Sequence, residues 1–363
     1  MELSTNQLEF LEKCEEARKL AFSFKNPLIL HHYDSVTGDN EILYSLNGKL
    51  RKAKISELYN LLKNRFKYTK RSDGKEIIKP SGLKVFCLHK SKIKLTKVKT
   101  FISHFTEKPI IGIKTEFSEV KLTNDHSLIS ISDNLICPLK PSDAKFVCSP
   151  NKISSGSEAP VINLKKLNLL LQEKSISISQ DGNYFSVKNK KKKILVPINI
   201  KINQDLMAFF GMWVADGCYM YRKGREGIRL SSYKDPETKK LIKKVLLSFG
   251  SSITTTDEGI TAVVCNKTLF RIMNYLGFVD GSKAKFVPSW VFGLQKNLIA
   301  AFLRGYFSGD GTVSKGDINA STVSNQLKKD LMTLLLFLGI RAKQREDGSG
   351  WKISINGKIY KKI

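Results

Sequence analysis

Two aspartates stand at matched places in two similar nonapeptides, Phe209-Phe210-Gly211-Met212-Trp213-Val214-Ala215-Asp216-Gly217 and Leu303-Arg304-Gly305-Tyr306-Phe307-Ser308-Gly309-Asp310-Gly311. Two carboxylates in close approach repel each other, yet they make a natural seat for divalent metal ions, and metal-assisted hydrolysis is the chemistry such a pair serves. Ser35, Thr123 and His126 form a second set. A Thr three residues before a His at the end of a strand can bring both side chains beside one peptide bond. There His can protonate the amide nitrogen, and the Ser35 hydroxyl can attack the carbonyl of Asp34, turning an amide into an ester. Alone, a Thr-x-x-His spacing carries little weight.

For Asp216 and Asp310 to meet, two helices must lie side by side. Gly211 and Ala215 fall four apart on one face, as do Gly305 and Gly309. Small residues at that spacing let two helix backbones approach more closely than usual. Glycine inside a helix costs ~1 kcal/mol against alanine, so its placement needs a packing reason. Each aspartate would sit at the negative end of its helix dipole, and something positive should compensate. Apolar spacing predicts these helices over about 204–216 and 293–309. Strands follow the first near 227–232, then a helix over 236–248, strands near 252–265 and a helix at 267–276. Strand and helix restart at 318–338, an internal repeat with a period of 94 residues.

Ser35, Thr123 and His126 fall in a stretch of different texture. Short β-like runs occur at 41–44, 83–89, 109–115 and 118–131, with an Asn47-Gly48 hairpin turn. One helix is expected at 57–67 and a polar loop at 68–80. Residues 149–193 lose the pattern and finish in a lysine run, 188–193, that reads as a solvated linker. Ahead of Ser35, residues 5–24 read as an amphipathic helix, and Leu28-Ile29-Leu30 as a short strand ending in His31-His32-Tyr33-Asp34.

The chain has 363 residues, 61 Lys+Arg against 33 Asp+Glu and a formal net charge of +28. That excess points to a polyanion as partner, with a phosphate backbone the common one. A hydrophobic fraction of 41% is too high for a disordered tail. With no apolar run of about 18 residues, a transmembrane helix is excluded, and residues 1–10 have neither a basic nor an apolar leader region, so no secretory signal is expected. Six scattered cysteines without C-x-x-C spacing argue against structural zinc and disulfides and for a reducing cytoplasm.

The paired nonapeptides resemble the motifs of LAGLIDADG homing endonucleases. Both keep Gly third, a small residue seventh and Asp-Gly at the end; Val214 departs where the name-giving motif has its other Asp. The resemblance implies an α+β endonuclease over 201–363, built from two pseudo-symmetric αββαββα halves. In each half a four-strand saddle after the motif helix would lie in the DNA major groove. Asp216 and Asp310 would hold Mg2+ and position water for attack on a phosphodiester in each strand. Lys285, in Lys283-Ala284-Lys285-Phe286-Val287-Pro288, resembles the basic residue that orients that water or steadies the phosphate. Its counterpart would fall near position 379, so the second saddle is expected to be incomplete. Double-stranded DNA is the implied partner, bound by a monomer with no obligate protein partner and no membrane association.

Ser35-Val36-Thr37-Gly38-Asp39 and Thr123-Asn124-Asp125-His126-Ser127 together resemble the N-terminal blocks of an intein's Hint domain, most like those of archaeal DNA polymerases. The resemblance implies an all-β Hint domain over 35–148, with Ser35 as nucleophile and Thr123 and His126 assisting an N–O acyl shift. Residues 149–200 would be a linking and DNA-recognition region. Residues 1–34 would be the N-extein, where Leu30–Asp34 resembles the first metal motif of DHH-family (RecJ-like) phosphoesterases. The DNA target would be the intein-less allele of the host gene. The final residues 357–363 lack the penultimate His and terminal Asn of splicing, so a truncated precursor is expected. Two rival readings stand beside this one: a non-cleaving, maturase-like LAGLIDADG protein binding DNA or RNA, and a fragment of a metal-dependent DHH phosphoesterase.

Overall fold

The computed structural model describes residues 35–356, except 90–91, 133–134, 166–175, 180, 190–191, 223–224, 232–235, 252, 257–260 and 315. The helix expected at 5–24, the strand at 28–30 and the His31–Asp34 cluster lie outside the described residues. The chain divides into two compact units between Ser154 and Ser155.

The first unit is made of short antiparallel strands and one helix. Strand Glu41–Leu46 turns through Asn47 and Gly48, both at positive φ (52° and 82°), into Lys49–Lys54. Asn-Gly suits that hairpin because both central residues must adopt a left-handed backbone. Helix α1, Ile55–Arg65, follows at once, and its Leu58 and Leu62, four apart, are buried against Tyr44, Leu46, Ile78 and Leu83. The hairpin continues into a four-stranded sheet with Leu83–His89 and Lys92–Lys97. The expected polar loop at 68–80 instead holds two short strands, Tyr68–Lys70 and Glu76–Ile78, which join Phe101–Ser103 in a second sheet. Ile78 is fully buried there, so one apolar anchor decides a stretch whose composition is polar. Hairpins Ile110–Lys114/Glu119–Thr123 and Leu128–Ser132/Leu135–Leu139 complete the unit.

Ser35 is tied to the second of those strands. Val36 bridges Leu122, the Thr37 N–H donates to the Lys121 carbonyl at 3.2 Å, and the Thr123 N–H donates to the Ser35 carbonyl at 2.9 Å. Residues 35–37 therefore run antiparallel to 121–123.

In the second unit, residues 188–189 and 192–193 of the lysine run belong to paired strands Tyr184–Asn189 and Lys192–Pro197, with Lys188 opposite Lys193. Helix α2, Gln204–Asp216, is N-capped by Asn203, whose side chain accepts the Leu206 N–H. It is buried from Leu206 through Val214, as expected of a helix that is apolar all round. Strands Gly217–Arg222 and Arg225–Leu230, helix α3 (Pro236–Ser248), strands Thr254–Thr256 and Thr261–Val264, and helix α4 (Lys267–Tyr275) follow. The order then restarts. Helix α5, Lys296–Asp310, precedes strands Gly311–Ser314 and Asp317–Thr322, helix α6 (Asn325–Phe337), and strands Lys343–Asp347 and Gly350–Ile355.

Both halves build a four-stranded antiparallel sheet in the order first, second, fourth, third. The expectation of an incomplete second saddle is thus corrected. The repeat shortens along the chain: the motif aspartates are 94 residues apart, whereas Thr261 and Gly350, which open the last strands, are 89 apart. Tighter connections let the second sheet close by Ile355. No helix among the described residues is long and apolar enough to cross a membrane, and the five described cysteines are all free.

Candidate catalytic centres

Helices α2 and α5 pack against each other along their glycine faces. A Cβ placed on Gly211 would stand 2.0 Å from the Phe302 carbonyl oxygen, and one on Gly305 would stand 1.9 Å from that of Ala208. A Cβ on Gly309 would meet that of Ala215 at 2.6 Å. The partners are related by the repeat: 208 with 302, 211 with 305 and 215 with 309. The helices are therefore related by local two-fold pseudosymmetry, and the small residues let backbone touch backbone.

That packing brings the two helix ends together. A Cβ built on Gly309 would lie 3.3 Å from Asp216 Oδ2, so the backbone just before Asp310 runs beside the other carboxylate. Each helix is closed by the following glycine, with Gly217 donating its N–H to the Trp213 carbonyl and Gly311 to that of Phe307. Burial, and after it the charge of Asp216, push the Asp310 carboxyl above the ordinary carboxylate range, against the opposing effects of Tyr306 and Lys285. Desolvation raises the pKa of an acid and a like charge raises it further.

Lys285 is the compensating cation. It is 7% exposed, and its Nζ donates to the Ala215 carbonyl at 2.9 Å, one of the carbonyls that the end of α2 leaves without an intrahelical partner. The ammonium also lies 5.8 Å from the centre of the Trp213 ring. Burial lowers its pKa, while Asp310 and Asp216 act to hold it charged. The other half of the unit fixes its loop. The Lys285 carbonyl accepts from Ser324 Oγ at 2.6 Å, and the Val287 N–H donates to Asp330 Oδ2 at 2.9 Å. Ser324 also N-caps α6. One hydroxyl thus starts a helix and holds the lysine loop.

Two neighbours escaped the sequence reading. Tyr306 is fully buried, and burial, then the charge of Asp310, hold its phenol well above the usual tyrosine value. Asp280, whose carboxylate accepts the Tyr219 N–H at 3.0 Å, contributes to the field at Lys285. Tyr306 was readable as a motif residue, but nothing in its spacing marks it as facing the aspartate. Among the described residues no cluster of three or more His, Cys, Asp or Glu is poised for a metal. The donor set is the aspartate pair.

The second centre lies in the first unit. The Ser35 N–H donates to Thr123 Oγ1 at 3.2 Å, and Thr123 Oγ1 lies 3.3 Å from the Ser35 carbonyl oxygen as donor. The structure therefore brings Ser35 and Thr123 together. His126 follows one turn later, its N–H donating to the Thr123 carbonyl at 2.9 Å. Sequence reasoning missed His104, whose Nε2 is 2.8 Å from Ser35 Oγ. No spacing motif contains it; only the scarcity of histidine, five in the chain, could have drawn attention to it.

Residues 297–362 match the model of the LAGLIDADG-like domain. The match covers α5 from residue 297 onward and the second sheet, and accords with the reading of the Asp-Gly motif there. The chain is 26% identical over 321 residues to a DNA polymerase of Thermococcus hydrothermalis, covering 85% of this chain and 17% of that protein. It is 25% identical over 296 residues to the DNA-directed RNA polymerase subunit Rpo1C of Methanocaldococcus jannaschii, covering 77% of this chain and 32% of that one. The chain thus spans about a sixth and a third of these relatives. A crystal structure of I-DmoI in complex with DNA and Mn shares 15% identity at a TM-score of 0.36, covering 44% of this chain and 94% of that one.

Proposed function

We propose that residues 201–363 act as a LAGLIDADG homing endonuclease that cuts double-stranded DNA at a specific site, and that residues 35–148 are the N-terminal part of an intein's Hint domain. The observation that carries the first half is the aspartate pair at the ends of two helices packed by a 94-residue repeat, with a buried lysine beside them.

The aspartate pair fits Mg2+. Oxygen donors suit a hard cation, one or two carboxylates with substrate phosphates are its usual protein ligands, and the Asp216 repulsion that adds to burial in raising the Asp310 pKa would be relieved by a bound cation. Asp216 and Asp310 would hold the ion, which supplies Lewis-acid polarisation of a phosphoryl oxygen and a more acidic water. The protein's own residues do the rest. α2 and α5 fix the carboxylates on rigid helix ends. Lys285, anchored through Ala215 and its loop, sets a positive charge where the phosphate gains negative charge during hydrolysis. The two sheets carry the side chains that meet the DNA, drawn by a net charge of +28.

In the first unit, Ser35 Oγ is the nucleophile, Thr123 holds the amide nitrogen of Ser35, and His126 protonates it as the ester forms. The implied target is the intein-less allele of the host gene.

Incubating the full chain with Mg2+ and a randomised duplex library, then capturing and sequencing the cut ends, tests the endonuclease. A recurring site cut by the natural chain and by neither Asp216→Asn nor Asp310→Asn is the expected result. Binding without cleavage by the natural chain would favour the maturase-like alternative, and unchanged cleavage by Asp216→Asn would overturn the assignment of the aspartates.

A further inference from the structure

We propose that His104 is the base that activates Ser35, a role that rests on the reading of Ser35 as an acyl acceptor. Ser35 Oγ lies 2.8 Å from His104 Nε2, and the other ring nitrogen, Nδ1, lies 2.9 Å from the backbone carbonyl oxygen of Phe105. A carbonyl oxygen can only accept, so Nδ1 carries the ring proton and Nε2 presents its lone pair. The Ser35 hydroxyl is then the donor in the 2.8 Å contact. A hydroxyl, a base within hydrogen-bond reach and a third group that fixes the base's tautomer are the parts of an activated nucleophile.

The fold holds this pair from both sides. His104 follows strand Phe101–Ser103, and the loop after it is tied to the turn that carries Thr123 and His126. The Asn124 N–H donates to the Pro109 carbonyl at 3.0 Å, and Lys108 pairs with the Asp125 carboxylate. Ser35 is held to Thr123 through its own N–H and carbonyl. The hydroxyl thus faces His104 while the amide nitrogen faces Thr123, a separation that suits opposite proton movements at the two atoms.

In the shift, a bond forms between Ser35 Oγ and the carbonyl carbon of residue 34, and the bond from that carbon to the Ser35 nitrogen breaks. The hydroxyl proton passes to His104 Nε2, and the departing nitrogen gains one proton, from His126 in the reading above. One proton is taken up and one released, so no outside reactant is consumed.

Hydroxylamine, which cuts an ester and leaves an ordinary amide, reads the shift in the full chain: mass spectrometry then finds a fragment beginning at Ser35. The natural chain is expected to release it and Ser35→Ala to retain the bond. His104→Ala is expected to slow release by about a hundredfold or more, with partial recovery in added imidazole, because a diffusible base can occupy the vacated place. Absence of release from the natural chain overturns the acyl-acceptor reading and with it the role of His104. Release at the natural rate from His104→Ala overturns only that role. So does slowing without imidazole recovery, the result expected of a histidine that merely supports the fold.

Discussion

Gly305 of one motif helix lies against Ala208 of the other so closely that a Cβ on the glycine would stand 1.9 Å from the Ala208 carbonyl oxygen, and Gly211 repeats the relation with Phe302 at 2.0 Å. Both obstructing atoms belong to helix backbones, which cannot yield as the end of a flexible side chain can. Alanine in place of a helix glycine ordinarily gains ~1 kcal/mol. Here the sign reverses.

Gly211→Ala and Gly305→Ala are each expected to lower stability by ~1–3 kcal/mol, the usual cost of overpacking, seen as an earlier urea midpoint. Because relief requires the helices to separate, Asp216 and Asp310 move apart and DNA cleavage falls further than stability alone explains. An unchanged or later midpoint would mean that the helices stand wider than this packing.

The aspartate pair destabilises the protein that holds it. A carboxyl whose pKa is raised on folding supports the fold below its unfolded value of 3.8, and that support is lost as pH rises through the folded value. Asp310→Asn removes the loss. Without divalent ions, its melting temperature should exceed that of the natural chain at pH 7, and the difference should close below pH 3.8, where the natural side chain is also neutral. Adding Mg2+ should raise the natural chain's melting temperature by mass action and leave Asp310→Asn nearly unmoved. Equal melting at pH 7 without the ion would contradict the burial and repulsion described at this site.

Lys285→Met separates the lysine's charge from its bulk. The side chain is buried and directed at the Ala215 carbonyl, so it is not one of the exposed cations that hold a DNA backbone. The variant is expected to bind DNA within a few fold of the natural chain. Cleavage should fall by about a hundredfold or more, the usual cost of removing one group that stabilises developing negative charge. Gel-shift and cleavage assays on one duplex check the two numbers, and a parallel loss in both would return Lys285 to a binding role.

The motif helices were legible because their geometry is local. Small residues four apart and a closing Asp-Gly are written within single helices, and the same pattern returns 94 residues on. The need for a positive partner followed from the helix dipole, and Lys285 met it from a loop 69 residues beyond Asp216. The second saddle was misjudged because one lysine's offset stood in for the whole half, while the connections between the later strands are shorter in the second copy than in the first. The strands at 68–78 and 184–197 were hidden for a different reason. Their pairing is supplied by partners, and polar or lysine-rich composition does not announce it. His104 was invisible because its contact with Ser35 spans 69 residues and depends on how two sheets and a loop come together.

Thr123 offers the sharpest test of the first centre. Its hydroxyl accepts the Ser35 N–H at 3.2 Å, lies 3.3 Å from the Ser35 carbonyl oxygen and is 1% exposed. Thr123→Val keeps the shape and removes the oxygen, so the Ser35 N–H loses its acceptor, at a cost of about 1–3 kcal/mol for an unmet buried group. Release of the Ser35 fragment by hydroxylamine should fall by about tenfold or more if the hydroxyl also steadies the amide nitrogen during proton transfer. Thr123→Ser restores the oxygen without the methyl, and should recover the rate while remaining less stable than the natural chain. Recovery of rate without recovery of stability is the signature of a group that acts on the reacting bond; a rate that simply follows stability through both variants would leave Thr123 as a strut for residues 35–37.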